Sequence, residues 1–554
     1  MADMRSLLLA TTGLLQIIGS ISAPLATTQN GTYQGRYLDE WNQDLFLGIP
    51  YAQPPLGDLR FRWPQSINTT FDGVRDASSY GYSCQQYHTA FNISEDCLNL
   101  NVIRPTGNYT NLPVLVWIFG GGLYTGSTAD PQYNLSGVVK VSQDMNQPVI
   151  AVSMNYRLGM WGFLQTPGLV AEGSSNAGLA DQRLAMQWIQ ENIVAFGGDP
   201  TRVVIWGESA GAQSIAYHLF SYDGRNDGLY RGAIMESGGP TGCQVQDLAY
   251  YADAVENLTR TVGCWTTSGW TASTILPCLR SLDQETLFAA APTQVWNPLI
   301  DGNFLTGYPS SLIRDGSYNA VPLLTGTNTD EGTGFSPSGP NTEQDLFNDF
   351  LWWRSYALSP PTIRKFLDIY PNDPCQEPPM YIWNCSVFPS KGLDWRWGAA
   401  IGGDMVMHSG RRKMCELYAG TAGQDVFSYR FDTRLWNQDP LLGVPHFANV
   451  AFSFQNISGL LGPSPTYDDD LRIAKSIAIA YISFVYNLDP NPPTEWNVLK
   501  SLDALPLPEW PKYSLEDPTN MVLNATGPWI EPDTWRKEGI AYMNTYDVAR
   551  ELLA

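Results

Sequence analysis

A serine stands at the centre of residues 207–211, whose sequence is Gly-Glu-Ser-Ala-Gly. An apolar run at 203–206 precedes this motif, and a helical pattern at 210–220 follows it. In that context G-x-S-x-G predicts a tight strand-to-helix turn that lifts Ser209 to the carboxyl edge of a sheet. The N-terminus of the following helix would favour negative charge that develops there. The alternative is a glycine-rich turn with a buried serine, and the strand–turn–helix placement favours a nucleophile.

A serine hydroxyl is a poor nucleophile without a base, and only His88, His218, His408 and His446 can serve. Behind such a turn the chain order is nucleophile, acid, histidine, which excludes His88. His218 follows the serine too closely. His408 falls in a helical pattern, where a packed or solvated histidine is expected. His446 follows a predicted strand, Val426–Phe431, through a loop, so it is the predicted base.

The acid that orients the histidine must lie between Ser209 and His446. Asp330 and Glu331 both follow a predicted strand at 321–324. Spacing alone allows either residue to be this acid. The alternative for each is a solvated loop carboxylate, and it applies to Asp330 in particular.

Three consecutive glycines at 120–122 end another predicted strand, at 114–119. The tetrahedral intermediate of acyl transfer needs convergent N–H donors, and glycines let a substrate oxygen approach the backbone. The N–H of Ala210 would supply a further donor directly after the nucleophile. A triple glycine can also be a flexible turn, whereas a phosphate loop is disfavoured because no Gly-Lys-Ser/Thr follows.

Strands and helices alternate along the chain, which predicts the α/β class with a mostly parallel central sheet flanked by helices. Turn and loop signals precede the first strong strand. Two stretches, 244–298 and 344–414, have helical patterning and are predicted to be helical excursions from a single domain at 24–554. The predicted strands lie at 114–119, 149–154, 203–206, 233–235, 321–324 and Val426–Phe431, and helices lie at 181–196 and 210–220.

The composition excludes several classes of function. The chain has 554 residues, of which 54 are acidic and 32 basic, for a net charge of −22. Such a surface repels polyanions, so we expect binding neither to nucleic acid nor to an anionic membrane. With four histidines and no CxxC pair among eight cysteines, a metal site is not expected, and neither is a cofactor.

The N-terminus has the pattern of a secretory signal peptide, predicted at 1–23. Arg5 precedes an apolar stretch at 7–18 that is too short for a convincing membrane span, and small residues follow. No other segment is long and apolar enough to cross a bilayer, so a secreted extracellular product without integral membrane association is expected. Eight cysteines suit an oxidising compartment. Glycosylation sequons begin at Asn30, Asn68, Asn92, Asn108, Asn134, Asn257, Asn384, Asn456 and Asn524.

Several longer motifs carry a resemblance to a known family. They lie at 46–55 (FLGIPYAQPP), 95–98 (EDCL), 155–159 (NYRLG), 181–182 (DQ) and 196–200 (FGGDP). With these motifs the chain resembles the type-B carboxylesterase family, which includes cholinesterases and some fungal lipases, over most of its mature length. The resemblance implies the α/β-hydrolase fold and hydrolysis of small-molecule carboxylic esters through an acyl-enzyme intermediate.

The resemblance also implies specific residue roles. Ser209, Glu331 and His446 match the family's triad, with Glu331 chosen over Asp330. The oxyanion hole would be formed by Gly121, Gly122 and Ala210. A disulfide between Cys84 and Cys97 is implied by the match. A second, between Cys264 and Cys278, is expected from their proximity and from a small loop that the family often has in this region.

The sequence departs from the family pattern at two places. Asn449 stands where the family often has an acidic residue, which affects a secondary hydrogen bond. Residues 85–96, between Cys84 and Cys97, form a shorter loop than the family usually has, and the loop has no tryptophan. This short loop therefore predicts neither cholinesterase activity nor a long lid. Another segment, 346–356, is a candidate cover for the pocket. The expected function is that of an esterase; the alternatives are an interfacially activated triglyceride lipase and a non-catalytic adhesion protein, and the latter would have lost catalytic residues that are present here.

Overall fold

The computed structural model describes residues 23–554 except 88, 243, 270–272, 293–295, 381–384, 457–466 and 495–497. The predicted signal peptide, apart from its last residue, lies outside the described residues, as do His88, Cys243 and the sequon residue Asn384. The strands are β1 Leu25–Thr28, β2 Gly31–Gln34, β3 Arg36–Leu38, β4 Gln43–Pro50, β5 Val74–Asp76, β6 Asn99–Pro105, β7 Leu112–Ile118, β8 Ile150–Met154, β9 Gly198–Glu208, β10 Gly232–Glu236, β11 Leu323–Asn328, β12 Val426–Phe431, β13 Thr519–Leu523 and β14 Trp529–Pro532.

The α-helices lie in the segments between the strands and cover both faces of the sheet. They are α1 Ser136–Asp144, α2 Gly159–Phe163, α3 Pro167–Ala171, α4 Ala177–Asn192, α5 Ala210–Gly224, α6 Ala252–Thr261, α7 Ile275–Ser281, α8 Gln284–Ala290, α9 Pro309–Asp315, α10 Glu343–Trp352, α11 Pro360–Ile369, α12 Trp395–Gly403, α13 Ser409–Ala419, α14 Val450–Ser453, α15 Asp468–Asn487, α16 Val498–Ser501, α17 Lys537–Met543 and α18 Tyr546–Glu551.

An 11-stranded sheet has the order β14-β13-β12-β11-β10-β9-β7-β8-β6-β4-β3, and β1, β2 and β5 form a separate 3-stranded sheet. From β8 through β13 in that order, neighbouring strands of the large sheet are parallel. Strands β7, β8, β10 and β11 are buried along their whole length, as expected where helices cover both faces. The carboxyl ends of these strands therefore meet at one edge, where the loops that carry chemistry lie.

The predicted central strands are confirmed as β7 to β12, and the sheet is mostly parallel as predicted. Before residue 114, where the sequence showed only turn and loop signals and no strong strand, the structure has the six strands β1 to β6. These strands are short, or sit in antiparallel pairs, and β4 is interrupted by a register shift between Phe46 and Ile49. Such a bulge breaks the alternation by which strands are recognised.

Both predicted helical excursions are confirmed: α6 to α8 lie in the first, and α10 to α13 are the helices of the second. The second excursion has an apolar cluster of its own beside the main core, to which Leu346, Phe350, Ile363, Phe366, Ile401, Met543 and Leu552 belong. Because Leu346 and Phe350 are buried there, α10 is packed into the body and does not lie loose over a pocket. That 24–554 form a single domain stays a prediction.

Three disulfides join described cysteines. Cys84 pairs with Cys97 and Cys264 with Cys278, the two pairs expected from the sequence. The third joins Cys375 to Cys385, a pairing that the sequence left open, while Cys415 is a buried thiol. In the part of the chain that the structure describes, no helix is both long enough and apolar enough to cross a membrane.

Candidate active site

Ser209 occupies the sharp turn between β9 and α5. Its backbone has φ 56° and ψ −124°, a strained conformation for a residue with a side chain. A Cβ on Gly211 would lie 2.0 Å from the Ile118 carbonyl oxygen, and one on Gly207 would lie 2.7 Å from the backbone of Gly211. Both glycines are therefore required by the close approach of neighbouring backbone, and the turn lifts the serine hydroxyl into a pocket.

The three side chains of the predicted triad form one chain of hydrogen bonds. The Ser209 Oγ lies 2.8 Å from the His446 Nε2, and the His446 Nδ1 lies 2.7 Å from the Glu331 Oε2. The other carboxylate oxygen of Glu331 accepts hydrogen bonds from the Ser237 hydroxyl at 2.5 Å and from the Asn328 N–H at 2.7 Å. Glu331 is thus fixed from both sides, and His446 can take a proton from the serine hydroxyl while Glu331 compensates the resulting charge.

Asp330 is fully buried, so the interpretation of this residue as a solvated loop carboxylate is wrong. Its two oxygens accept hydrogen bonds from the Val444 N–H at 2.8 Å and the Met380 N–H at 2.9 Å. Val444 lies two residues before His446, so Asp330 anchors the loop that carries the predicted base. Burial raises the pKa of Asp330 to about 7.

A second carboxyl group lies beside the triad. The Glu208 Oε1 is 3.4 Å from the His446 Nε2, and the Glu208 side chain is completely buried. Burial raises the pKa of Glu208 to about 8. Burial lowers the pKa of His446, but the nearby Glu208 and Glu331 carboxylates outweigh that effect, so the pKa of His446 lies above its ordinary value.

The glycine loop after β7 lies against the turn that carries the serine. Gly121 and Gly122 have φ angles of 95° and 65° and line the pocket. A Cβ on Gly121 would lie 2.2 Å from the Thr125 carbonyl oxygen. Gln86 braces the same segment, since its Oε1 accepts hydrogen bonds from the Gly126 N–H at 3.0 Å and the Thr125 hydroxyl at 2.9 Å. The loop can therefore present N–H groups from a fixed backbone.

The structure places the remaining described histidines away from this chain of hydrogen bonds. His218 is buried with its Nε2 2.9 Å from the Gln182 Oε1, and burial lowers its pKa to about 3. His408 is buried with its Nδ1 2.9 Å from the Thr327 hydroxyl, and burial together with nearby arginines lowers its pKa well below the ordinary value. Both are packed histidines, which for His408 decides between the packed and the solvated side chain that its helical pattern allowed.

Asn449 lies behind the loop that carries His446. Its Oδ1 accepts a hydrogen bond at 3.1 Å from Asn328, whose amide also donates to the Pro445 carbonyl at 2.8 Å. A neutral amide thus serves at the position where the family often has an acid. Among the described residues, no group of three or more His, Cys, Asp or Glu side chains is arranged to hold a metal ion.

Ser209 and His446 open into a pocket of about 720 Å³. The wall combines aromatic rings with several polar side chains. None of the described residues of 85–96 lines the pocket. No residue of α10 lines it either, whereas Arg354 and Ser355, which follow that helix, do. The lining residues are Gly121, Gly122, Tyr124, Tyr133, Glu208, Ser209, Gln213, Gln244, Tyr250, Asn297, Gly334, Phe335, Arg354, Ser355, Met407, His446 and Phe447.

Sequence reasoning missed four residues that shape this site: Glu208, Ser237, Gln86 and Arg354. Glu208 stands inside the motif itself, and its position beside the serine was the one available signal. Ser237 follows β10, so the carboxyl edge of that strand could have pointed to it. Gln86 and Arg354 reach the site from segments distant in sequence, and no local sequence pattern indicates that they lie there.

Comparison with known proteins assigns the chain to a family. Residues 22–528 match the sequence profile of the carboxylesterase family. The chain belongs to the carboxylesterase family. Lipase 4 from Diutina rugosa is 33% identical over 572 residues, covering 94% of this chain and 96% of that protein. Secreted lipase 1 from Botryotinia fuckeliana is 32% identical over 522 residues, covering 85% of this chain and 84% of that protein.

Solved structures agree with the family. Aspergillus niger EstA superimposes with a TM-score of 0.81 at 28% identity, covering 96% of this chain and 99% of that chain. A structure named PNB esterase has a TM-score of 0.74 at 29% identity, covering 94% of this chain and all of the other. This carboxylesterase therefore has the predicted α/β-hydrolase fold, and it is a secreted serine ester hydrolase.

Proposed function

We propose that Ser209 is the nucleophile, His446 the general base and Glu331 the acid that orients it. The observation that carries this proposal is the continuous hydrogen-bond chain from the Ser209 Oγ through both ring nitrogens of His446 to the Glu331 Oε2. The strained backbone of the serine, which lines the pocket, supports the same assignment.

In the first half-reaction the Ser209 Oγ attacks the ester carbonyl carbon while its proton passes to the His446 Nε2. The carbonyl oxygen becomes an oxyanion, which the N–H groups of Gly121, Gly122 and Ala210 are proposed to stabilise. When the intermediate collapses, the bond to the alcohol oxygen breaks and the His446 proton is donated to that oxygen. A water molecule then attacks the acyl-enzyme by the same route, which releases the acid and restores the serine.

We further propose that the natural substrates are esters in solution, in preference to triglyceride droplets. The loop 85–96 supports this, because Gln86 bonds to the glycine loop and the Tyr87 hydroxyl donates to the Phe288 carbonyl at 3.0 Å. These contacts tie the loop down beside the pocket. The competing candidate is a triglyceride lipase, which the names of the relatives favour.

Glycosylation of the secreted protein is also proposed. Five sequon asparagines are exposed: Asn68, Asn92, Asn108, Asn134 and Asn257. By contrast, the side-chain amide of Asn30 donates to the carbonyls of Ile67 and Thr69, and that of Asn524 donates to Asp432. The glycan attaches at this amide nitrogen, so the exposed sequons are the better acceptors.

The triad assignment is tested by Ser209→Ala. Loss of a triad nucleophile costs on the order of a millionfold in turnover, so ester hydrolysis and labelling by a serine-directed phosphonate should both vanish. Ser281→Ala, an exposed serine whose hydroxyl bonds only locally, is the matched control and should keep both. Residual turnover above a small fraction in a folded Ser209→Ala protein would show that another group is the nucleophile.

A further inference from the structure

One part of the pocket wall is a continuous polar surface. The Gln244 amide donates to the Arg354 carbonyl and accepts from the Asn297 amide at 3.2 Å, and the Tyr250 hydroxyl bonds to the Ser355 hydroxyl at 3.1 Å. All five residues line the catalytic pocket. Aliphatic acyl chains bury best against apolar walls, so this surface points to a substrate with polar groups of its own.

The turn that carries Arg354 is strained and held in place. Arg354 and Ser355 have φ angles of 53° and 56°, two consecutive residues with side chains in the left-handed region. Such a conformation persists when surrounding contacts fix it. Besides Gln244 and Tyr250, the Gln246 amide contributes a contact, since it donates to the Ser355 carbonyl at 3.3 Å. These contacts hold Arg354 in place at the pocket.

Arg354 is the one arginine or lysine among the described residues that line the pocket. Its guanidinium donates to the Gly242 carbonyl at 3.3 Å, and it forms no ion pair with a carboxylate of the described residues. The one carboxyl in the described lining is Glu208, and it lies 3.4 Å from the His446 Nε2, so it is paired with that ring and not with Arg354. The charge of Arg354 reaches the reacting groups, because it lowers the pKa of His446 against the stronger effect of the carboxylates.

We propose that Arg354 binds a carboxylate carried by the substrate, so that the preferred substrates of this pocket are esters with a second, ionised carboxyl group. A guanidinium matches a carboxylate geometrically and stays charged at every relevant pH. Two sources of that carboxylate share this chemistry: the acyl part, as in a half-ester of a dicarboxylic acid, and the alcohol part, as in an acylated hydroxy acid. The inference rests on the proposed function, because it takes the Ser209 pocket to be the catalytic one.

The test uses matched ester pairs that differ only in charge. In the acyl arm, monobutyl glutarate is compared with butyl 4-carbamoylbutanoate, in which a neutral amide replaces the carboxylate. In the alcohol arm, O-butanoylglycolate is compared with O-butanoylglycolamide. The ratio of kcat/KM for the carboxylate to that for the amide is measured by pH-stat titration for the wild type, R354Q and R364Q. Arg364 is a fitting control because it is exposed on α11 and pairs with Glu343, outside the pocket.

The wild type should prefer the carboxylate in at least one arm by about 10-fold or more, as a charge-assisted hydrogen bond would give. R354Q should bring that ratio to about 1, while R364Q should keep it. The arm that shows the preference identifies the side of the ester that carries the carboxylate. A wild-type ratio near 1 in both arms, or a preference that R354Q retains, would overturn the inference.

A second measurement separates this inference from the proposed function and from misfolding. Glutarate binding to the secreted Ser209→Ala protein is measured by calorimetry, with and without R354Q, and the affinity should fall about 10-fold when the guanidinium is removed. Equal affinities would count against Arg354 as the carboxylate ligand. If Ser209→Ala itself retained turnover, the proposed function would fail whatever the kcat/KM ratios. If Ser209→Ala is inactive but the carboxylate-to-amide ratio is the same in the wild type and R354Q, only the inference about Arg354 fails and the proposed function stands.

Discussion

At the scale of single residues, Glu208 changes what the triad alone would do. Its carboxyl lies 3.4 Å from the ring nitrogen of His446 that faces Ser209. Because Glu208 and Glu331 together favour the protonated ring more than burial disfavours it, the pKa of His446 exceeds its ordinary value of 6.5. Only the neutral ring can accept the serine proton, so activity should fall tenfold for each pH unit below that raised pKa.

Glu208→Gln should shift the acid limb of the kcat/KM profile to lower pH. The substitution keeps the size of the side chain and removes one source of the raised pKa of His446, so the neutral ring persists into more acidic solution. The kcat/KM profile is measured with a neutral ester from pH 4 to 9. Far-ultraviolet circular dichroism at each pH checks that the protein stays folded. Glu191→Gln, on the exposed surface of α4, should leave the limb in place. An acid limb that does not move in Glu208→Gln would mean that Glu331 alone sets the pKa.

At the scale of elements, the base depends on a loop held by a buried carboxyl. The loop between β12 and α14 carries His446, and Asp330 holds it through the N–H of Val444 while also holding the N–H of Met380. Gly443 must be a glycine, since a Cβ there would lie 2.2 Å from the Asp330 Oδ2. The residue beside the proposed acid therefore positions the segment that supplies the proposed base.

Asp330→Ala should destabilise the protein by about 2 to 4 kcal/mol, because it leaves the buried Val444 N–H without an acceptor, at about 1 to 3 kcal/mol, and the partly buried Met380 N–H, at about 1 kcal/mol. Turnover should fall as well, since the His446 loop loses its anchor. The folded-state pKa of Asp330, about 7, lies above the value of about 3.9 in an unfolded chain. The stabilisation linked to its proton is therefore full below pH 4 and lost as pH rises through 7.

This destabilisation is measured by urea unfolding at several pH values, and the gap between wild type and Asp330→Ala should narrow towards pH 8. Asp368→Ala, on the exposed side of α11, is the matched control and should match the wild type in stability and turnover. An Asp330→Ala protein as stable and as active as the wild type would show that the loop holds itself.

At the scale of the whole molecule, both candidate covers are held by contacts with the body of the protein. The short loop 85–96 is fixed beside the pocket, and α10 buries its apolar face in the second apolar cluster. A pocket whose neighbouring segments are held in place gains nothing from a lipid interface, because no apolar cover has to be moved and exposed. We therefore expect activity without interfacial activation.

The measurement is the initial rate against concentration of a partly soluble ester such as tributyrin, taken through its solubility limit. The rate should saturate smoothly, with no break where droplets form. A sharp rise at that point would refute this expectation and restore the lipase candidate. Trp352→Ala tests whether this exposed ring alone contacts droplets. Leu346→Gln is not a suitable variant, because it would disrupt the packing of a buried side chain.

The sequence by itself determined the local features of this protein. The serine turn, the glycine loop and the strands β7 to β12 each depend on a contiguous stretch whose pattern has one favourable backbone solution. The same holds for the order of the proposed triad along the chain. Early strands escaped because short antiparallel and bulged segments leave no regular period, as in β4.

Only the tertiary structure decided which side chains meet. Spacing could not separate Asp330 from Glu331, since they are neighbours; the fold turned Glu331 towards the ring of His446 and buried Asp330 under the His446 loop. Arg354 faces the same pocket although it lies 145 positions after Ser209 in a separate helical excursion. Such contacts arise from packing between distant elements, and packing, unlike backbone preference, has no signature in a local stretch of residues.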